Sequence, residues 1–330
     1  MDPSAKICLL YDSLKEEPKE VNIRIGNNWF TQNEQIYLTP RYEGEESIGD
    51  EILEIENNKE EGIARKIGKG IFSKRAGIKM ANIDAVVNIT NEIFTYDNKQ
   101  SNNIFKVCDI NGKATEYLKY RFPLAKVYTI DNINEKWEEL IDYIDKNEPE
   151  GVDLVSSSSF SMKDYNKYNE SNRRRLLVNS LIGIRCCKRG GNFIMRIFNI
   201  MNDTSVQILY ILSQCFNEIT IFKPITSSNN EKFIICKNRR EEIDDYLNLL
   251  DNGIKLNLNR LFVENPNQDF IEWITQINNE LEIAESIVPY YEYDIHKFLI
   301  IWNLPDTPSR FKKTSDYSQL LPGDTAILIR

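Results

Sequence analysis

From Ile104 to Cys236 the chain alternates short apolar runs with longer helix-like segments, and this alternation restricts the fold more than any other feature. Ile104–Ile110, Lys126–Ile130, Val152–Ser156 and Phe193–Phe198 read as strands. Helices are expected over Ala114–Arg121, Glu135–Asp145, Asn172–Lys188 and Thr204–Phe216, with Gly190-Gly191 as a helix stop. Strand, helix, strand in succession implies parallel pairing, because the connecting helix carries the chain back to the starting edge. The last two strands, Glu218–Lys223 and Lys232–Cys236, are joined only by the polar stretch ITSSNNE. That is too short for a helical crossover, so one strand must run antiparallel. The predicted class is α/β, a mostly parallel sheet with one antiparallel strand, flanked by helices.

The flanks have a different character. Residues 1–60 read as an N-terminal extension, with strand-like VNIRI and QIYLTP ahead of an acidic stretch at 43–62. From Ala64 the charge reverses: Arg65, Lys66, Lys69, Lys74, Arg75 and Lys79 appear with no acidic residue between Ala64 and Asp84, on helix-like spacing. The core domain is therefore set at 61–240. A helical C-terminal appendage is expected over 241–305, and 306–330, rich in Pro, Ser and Lys, reads as a tail.

A formal net charge of −9 argues against a protein that coats nucleic acid indiscriminately, so any RNA contact must come from local basic patches such as Arg65–Arg75. Arg173, Arg174, Arg175, Arg239 and Arg240 are further candidates for phosphate contact. No apolar run has the length to span a bilayer, and the first residues lack a basic region leading into an apolar stretch; an intracellular protein of nucleus or cytoplasm, with no membrane partner, is expected. Six cysteines without a CxxC pair suit buried free thiols. The single histidine, His296, leaves no basis for a histidine triad in the core domain or a His/Cys zinc site, and no metal is expected. Trp29, Phe30, Tyr37 and Tyr42 suit core packing better than stacking on a base.

Three stretches carry a more specific signal: SKRAGIKMANID (Ser73–Asp84), GGNFIMRIF (Gly190–Phe198) and the run from Cys215 to Lys237 that ends in ICK. Together with IWNLPD (Ile301–Asp306), they resemble the cap-specific mRNA 2′-O-ribose methyltransferase family, whose FtsJ-like domain is a Rossmann-like methyltransferase sheet. The resemblance implies S-adenosylmethionine as cofactor for an active enzyme, and the capped mRNA 5′ end as partner. It further implies a Lys-Asp-Lys-Glu tetrad that deprotonates and orients the ribose 2′-hydroxyl. Carried over by position, the first lysine is Lys79 and the glutamate is Glu231. The aspartate falls at Ser157, and the second lysine at Arg196.

Both replacements bear on the chemistry. A lysine can serve as base when its surroundings lower its pKa, whereas a guanidinium stays protonated. Serine supplies no charge. The family's glycine-rich cofactor turn corresponds to Asp109-Ile110-Asn111-Gly112-Lys113, in which Ile110 and Lys113 replace glycines and Gly112 survives. Asp109, Gly112 and, at the tip of the second strand, Asp131 are the candidate cofactor contacts. Three functions follow. One is a catalytically inactive family member that binds RNA or scaffolds a catalytic methyltransferase or the capping machinery, with no cofactor. The second is an active, divergent methyltransferase with Lys79 as base. The third is a structural interaction protein.

Overall fold

The computed structural model describes residues 71–90, 104–130, 133–158, 170–197, 203–222, 231–256, 268–276 and 326–329, together with residues 224, 258, 261 and 304. The N-terminal extension with its four aromatics, and His296, lie outside them. In chain order the elements are α1 (Arg75–Val87), β1 (Lys106–Ile110), α2 (Thr115–Arg121), β2 (Lys126–Ile130), α3 (Ile133–Asn147), β3 (Val152–Ser157), α4 (Glu170–Cys186), β4 (Cys187–Ile197), α5 (Asp203–Cys215), β5 (Phe216–Phe222), β6 (Lys232–Arg239), α6 (Asp244–Lys255) and β7 (Ala326–Ile329).

One seven-stranded sheet has the order β5-β6-β4-β3-β1-β2-β7. β1 lies parallel to β2 and β3, β3 to β4, and β2 to β7. β6 alone is reversed, antiparallel to both β4 and β5, as the short connection required. β7 comes from the segment read as a tail, whose AILI lacks the length and helical neighbours that marked the other strands. The strand order reverses beside β1: β2 lies on one side of it and β3 on the other. The crevice beyond the carboxyl ends of β1 and β3 is the switch point where sheets of this kind take ligands.

Side chains alternate across the sheet and build two cores. Cys108, Val155, Phe193, Met195 and Cys236 pack with Leu140, Leu177, Ile182 and Leu209 of α3, α4 and α5, joined by Leu247 and Leu250 of α6. Val107, Leu154, Ile194, Phe233 and Ile235 face the opposite way, onto Ile78 and Ile83 of α1 and Tyr117 and Leu118 of α2. All six residues of β3 are buried, as expected of a central strand covered on both faces. The five described cysteines are buried and free.

One boundary differs from the expectation. Helix α4 stops at Cys186 and β4 begins at once, so Gly190-Gly191 does not end the helix but lies within β4. Val152 pairs with Cys187 while Leu154 pairs with Asn192, so the residues between them on β4 loop out as a bulge. The bulge needs glycine. Gly190 has φ +73°, and a Cβ on Gly191 would fall 2.7 Å from Cys187 Sγ and 3.0 Å from the Asp153 carbonyl oxygen.

Candidate functional site

The site grows from the turn that leaves β1. Asn111 and Gly112 take left-handed conformations, φ +68° and +58°, which asparagine and glycine tolerate and branched residues do not. The Gly112 N–H donates to the Asp109 carbonyl at 3.0 Å, and the Asn111 N–H to the Ile130 carbonyl at 3.2 Å. Helix α2 then starts against the Asp109 side chain, whose Oδ2 accepts the Thr115 hydroxyl at 2.7 Å. The backbone N–H groups of Ala114 and Thr115 donate to the same carboxylate, so it satisfies the orphan donors of the helix start. Burial pushes the Asp109 carboxyl up to about 6, and these hydrogen bonds hold it from rising further.

Helix α2 in turn anchors α1. The Glu116 carboxylate accepts the Ser73 N–H at 2.9 Å, the Lys74 N–H at 3.2 Å and the Ser73 hydroxyl, fixing the angle at which α1 begins. Arg75, Lys79 and Ile83, with Ala76 and Met80 beside them, recur every three to four residues on one helix face, and together with Lys74 just before the helix they look over the switch-point crevice.

Opposite that face stand Ile194 and Arg196 of β4, Phe233 of β6 and Glu231 just before it, enclosing a cavity of about 360 Å³. Lys79 Nζ forms an ion pair with Glu231 Oε2, and Arg196 Nη1 reaches Glu231 Oε1 at 3.3 Å. The Arg196 Nη2 donates to the Ser158 carbonyl at 3.1 Å, and Lys113 Nζ donates to that same carbonyl at 2.9 Å. Lys113 thus spans the crevice, from the turn after β1 to the end of β3.

Burial holds the Lys79 ammonium below the usual lysine range; Glu231 opposes that shift, while Arg196 and Arg75 add to it. Lys113 is pushed down to about 8, first by burial, then by Arg196, with Glu231 opposing and Lys74 and Lys79 adding their repulsion. Arg196 is also held below its usual value by burial, against the pull of Glu231.

Three of the four tetrad positions read from the sequence therefore meet: Lys79, Glu231 and Arg196. Ser157 does not join them. It is 1% exposed at the end of β3, and strand alternation turns it to the opposite face; Ser156 and Ser158 border the cavity instead. Of the expected cofactor contacts, Asp109 is fully buried and engaged with Thr115 of α2, and neither Asp109 nor Gly112 lines the cavity. The turn reaches the cavity through Asn111, Lys113 and Ala114. Lys74 and Arg75 of the basic patch line it too, whereas Arg65, Lys66, Lys69 and Asp131 lie outside the described residues. Arg174 is structural, donating to the Ile254 carbonyl at 3.1 Å. Sequence reasoning missed the reach of Lys113 and the anchoring by Glu116; a lysine where glycine was expected was the available signal for the first.

The turn after β1, where the resemblance places the cofactor, carries Lys113, whose side chain crosses to the Ser158 carbonyl. Among the described residues lining the cavity, Lys74, Arg75, Lys79, Lys113 and Arg196 are cationic, and Glu231 is the one carboxylate, already held between Lys79 and Arg196. The side chain of Lys113 also occupies the gap that a glycine would leave open.

A family model described as FtsJ-like methyltransferase matches residues 72–239. A cap-specific mRNA (nucleoside-2′-O-)-methyltransferase 1 from Xenopus laevis is 32% identical over 130 residues, 38% of this chain and 15% of that protein. The Drosophila melanogaster protein of the same name is 24% identical over 279 residues, 65% of this chain and 35% of that one. An inactive cap-specific mRNA (nucleoside-2′-O-)-methyltransferase 1B from Caenorhabditis briggsae is 27% identical over 170 residues, 48% of this chain and 20% of that protein. The aligned regions thus span 15% to 35% of these relatives' own length.

Proposed function

Because the chain belongs to the FtsJ-like methyltransferase family, we propose that it is a cap 2′-O-methyltransferase-type protein that binds the capped mRNA 5′ end without transferring a methyl group. The observation that carries this reading is the double occupation of the Ser158 carbonyl, by Lys113 from one side and Arg196 from the other. Lys113 closes the gap between β1 and β3, and Arg196 stands where the base is needed. A guanidinium paired with Glu231 keeps its proton at any physiological pH, and a positioned base is commonly worth a hundredfold to ten-thousandfold in rate, roughly. The basic face of α1, with Arg65, Lys66 and Lys69 preceding it in sequence, is the surface proposed for RNA. In this role the protein acts in nucleus or cytoplasm as a binding or scaffolding subunit, beside a catalytic methyltransferase or other capping machinery.

The test pairs filter binding of capped and uncapped transcripts with a methyl-transfer assay on the same RNAs. Retention of capped RNA with no methylation is expected. Equal, negligible retention of both RNAs would favour a purely structural role. One observation favours the active reading: burial lowers the pKa of Lys79, as a lysine base requires. Methylation that disappears in Lys79→Ala would establish that reading instead.

A further inference from the structure

The two sides of the sheet are finished differently. The β5 side carries an exposed Asn217 and the charged Glu218, residues of the kind that keep an edge from pairing with another chain. The other side is β2, Lys-Val-Tyr-Thr-Ile, whose only charge is at its first residue. Left bare, it would present a row of unpaired backbone groups beside apolar side chains. The sequence that follows β2 supplies no cover, because α3 carries the chain past β1 to the far side, where β3 forms. The cover comes instead from Ala326–Ile329, far along the chain, which lies parallel to Val127–Ile130.

We propose that the outer edge of β2 is a strand-addition site for an extended apolar peptide, and that residues 326–329, its resident occupant, dock and detach as a unit. The inference does not depend on whether the crevice takes a cofactor.

The strand is four residues long and, among the described strands, pairs with β2 alone. So short a ladder gains few net hydrogen bonds, while fixing its backbone costs conformational entropy of similar size. Docking is therefore weak and reversible, held by main-chain bonds as in other cases of strand addition. AILI contains no charge and no proline, so nothing in its sequence blocks pairing at any of its positions.

The register gives this docking a consequence. Ile329 stands opposite Ile130, whose carbonyl accepts the Asn111 N–H at 3.2 Å. Leu328 stands opposite Thr129, whose methyl carbon would lie 3.7 Å from a Cβ built on Gly112. The end of β2 thus lies between the added strand and the turn that carries Lys113. Docking of 326–329 steadies the end of β2, and through it the Asn111-Gly112-Lys113 turn.

The test begins with hydrogen exchange on the unmodified full chain. The amides of 326–329 should be protected relative to a free peptide, yet exchange about tenfold or more faster than Phe233–Ile235 of β6. Absence of protection at 326–329, or protection equal to that of β6, overturns the proposal. The full-chain variant Ile327→Pro/Leu328→Pro removes two backbone donors, empties the edge and alters no residue of the crevice. A labelled peptide of residues 324–330 should bind this variant saturably, and the unmodified chain about tenfold or more weakly because its edge is occupied. The same peptide carrying both prolines should not bind. Exchange at Val127–Ile130 and at Asn111 should rise in the variant and fall again with the peptide, while β6 stays protected, which reports that the variant is folded. Equal peptide affinity for variant and unmodified chain, equal capture of the proline peptide, or unchanged exchange at β2 in the folded variant overturns the proposal. The exchange pattern of the unmodified chain decides the question even where the variant fails to fold.

Discussion

Replacing Glu231 by glutamine probes the centre of the site most sharply. The Glu231 side chain is 4% exposed and lies between Lys79 and Arg196, themselves 15% and 14% exposed. At the 3.3 Å separation from Arg196 and an effective dielectric near 20, that one attraction is about 5 kcal/mol before any loss for desolvation. Glutamine keeps the shape and removes the charge, so two half-buried cations face each other with Lys113 and Arg75 close by. Water entry and side-chain relaxation recover part of the loss, and breaking a buried pair from one side costs about 3–5 kcal/mol net. Urea denaturation followed by far-UV circular dichroism should report a loss of that size, equivalent to roughly 10 °C in Tm. Lys79→Met alone removes one partner, and the double variant Lys79→Met/Glu231→Gln should lose about 1–3 kcal/mol less than the sum of the two singles. A Glu231→Gln loss below about 1 kcal/mol, or strict additivity in the double variant, would refute the reasoning.

Three further outcomes are expected. Asp109 has its pKa raised to about 6 in the fold and near 3.8 when unfolded, so between those values the native state binds more protons and stability falls as pH rises; Asp109→Asn should flatten that decline, read from denaturation midpoints at pH 4 and 6.5. Lys113 shifts the other way: its native pKa of about 8 lies below the ordinary lysine value of 10.5, the unfolded chain binds more protons between them, and stability should climb from pH 8 to 10 in the native protein but less in Lys113→Met. Gly183→Ala would put a Cβ 2.4 to 2.6 Å from the Phe193 ring, and should destabilise by about 1–3 kcal/mol in thermal melts, as overpacking does.

Much of this architecture can be read from the chain, and the misses have physical causes. Short apolar runs separated by helical patterns imply parallel neighbours, and the brevity of ITSSNNE forces a reversed strand, so the existence and directions of β1 to β6 follow from spacing, whereas their order across the sheet does not. Lys79, Arg196 and Glu231 come from three distant segments, yet their motifs place each at a strand end or on one helix face, and they meet. Ser157 fails for a simple reason: on a strand, one position of offset reverses the face, and no composition rule fixes that phase inside VSSSSF. Gly190-Gly191 carries two valid meanings, helix end and strand bulge, and only the close approach of Cys187 and Asp153 decides between them. The span of Lys113 to Ser158 depends on side-chain length across a gap, which a linear pattern does not encode.

In the proposed function, Lys113 reaching across to Ser158 closes the switch-point crevice to a sulfonium cofactor. A single cation about 4 Å from a sulfonium, at an effective dielectric near 20, opposes binding by about 4 kcal/mol, which moves a Kd of about 1 μM to about 1 mM. Calorimetric titration of S-adenosylmethionine into the unmodified chain measures this directly. No saturable heat below about 1 mM is predicted. A saturable isotherm with a Kd near 1 μM would contradict the account.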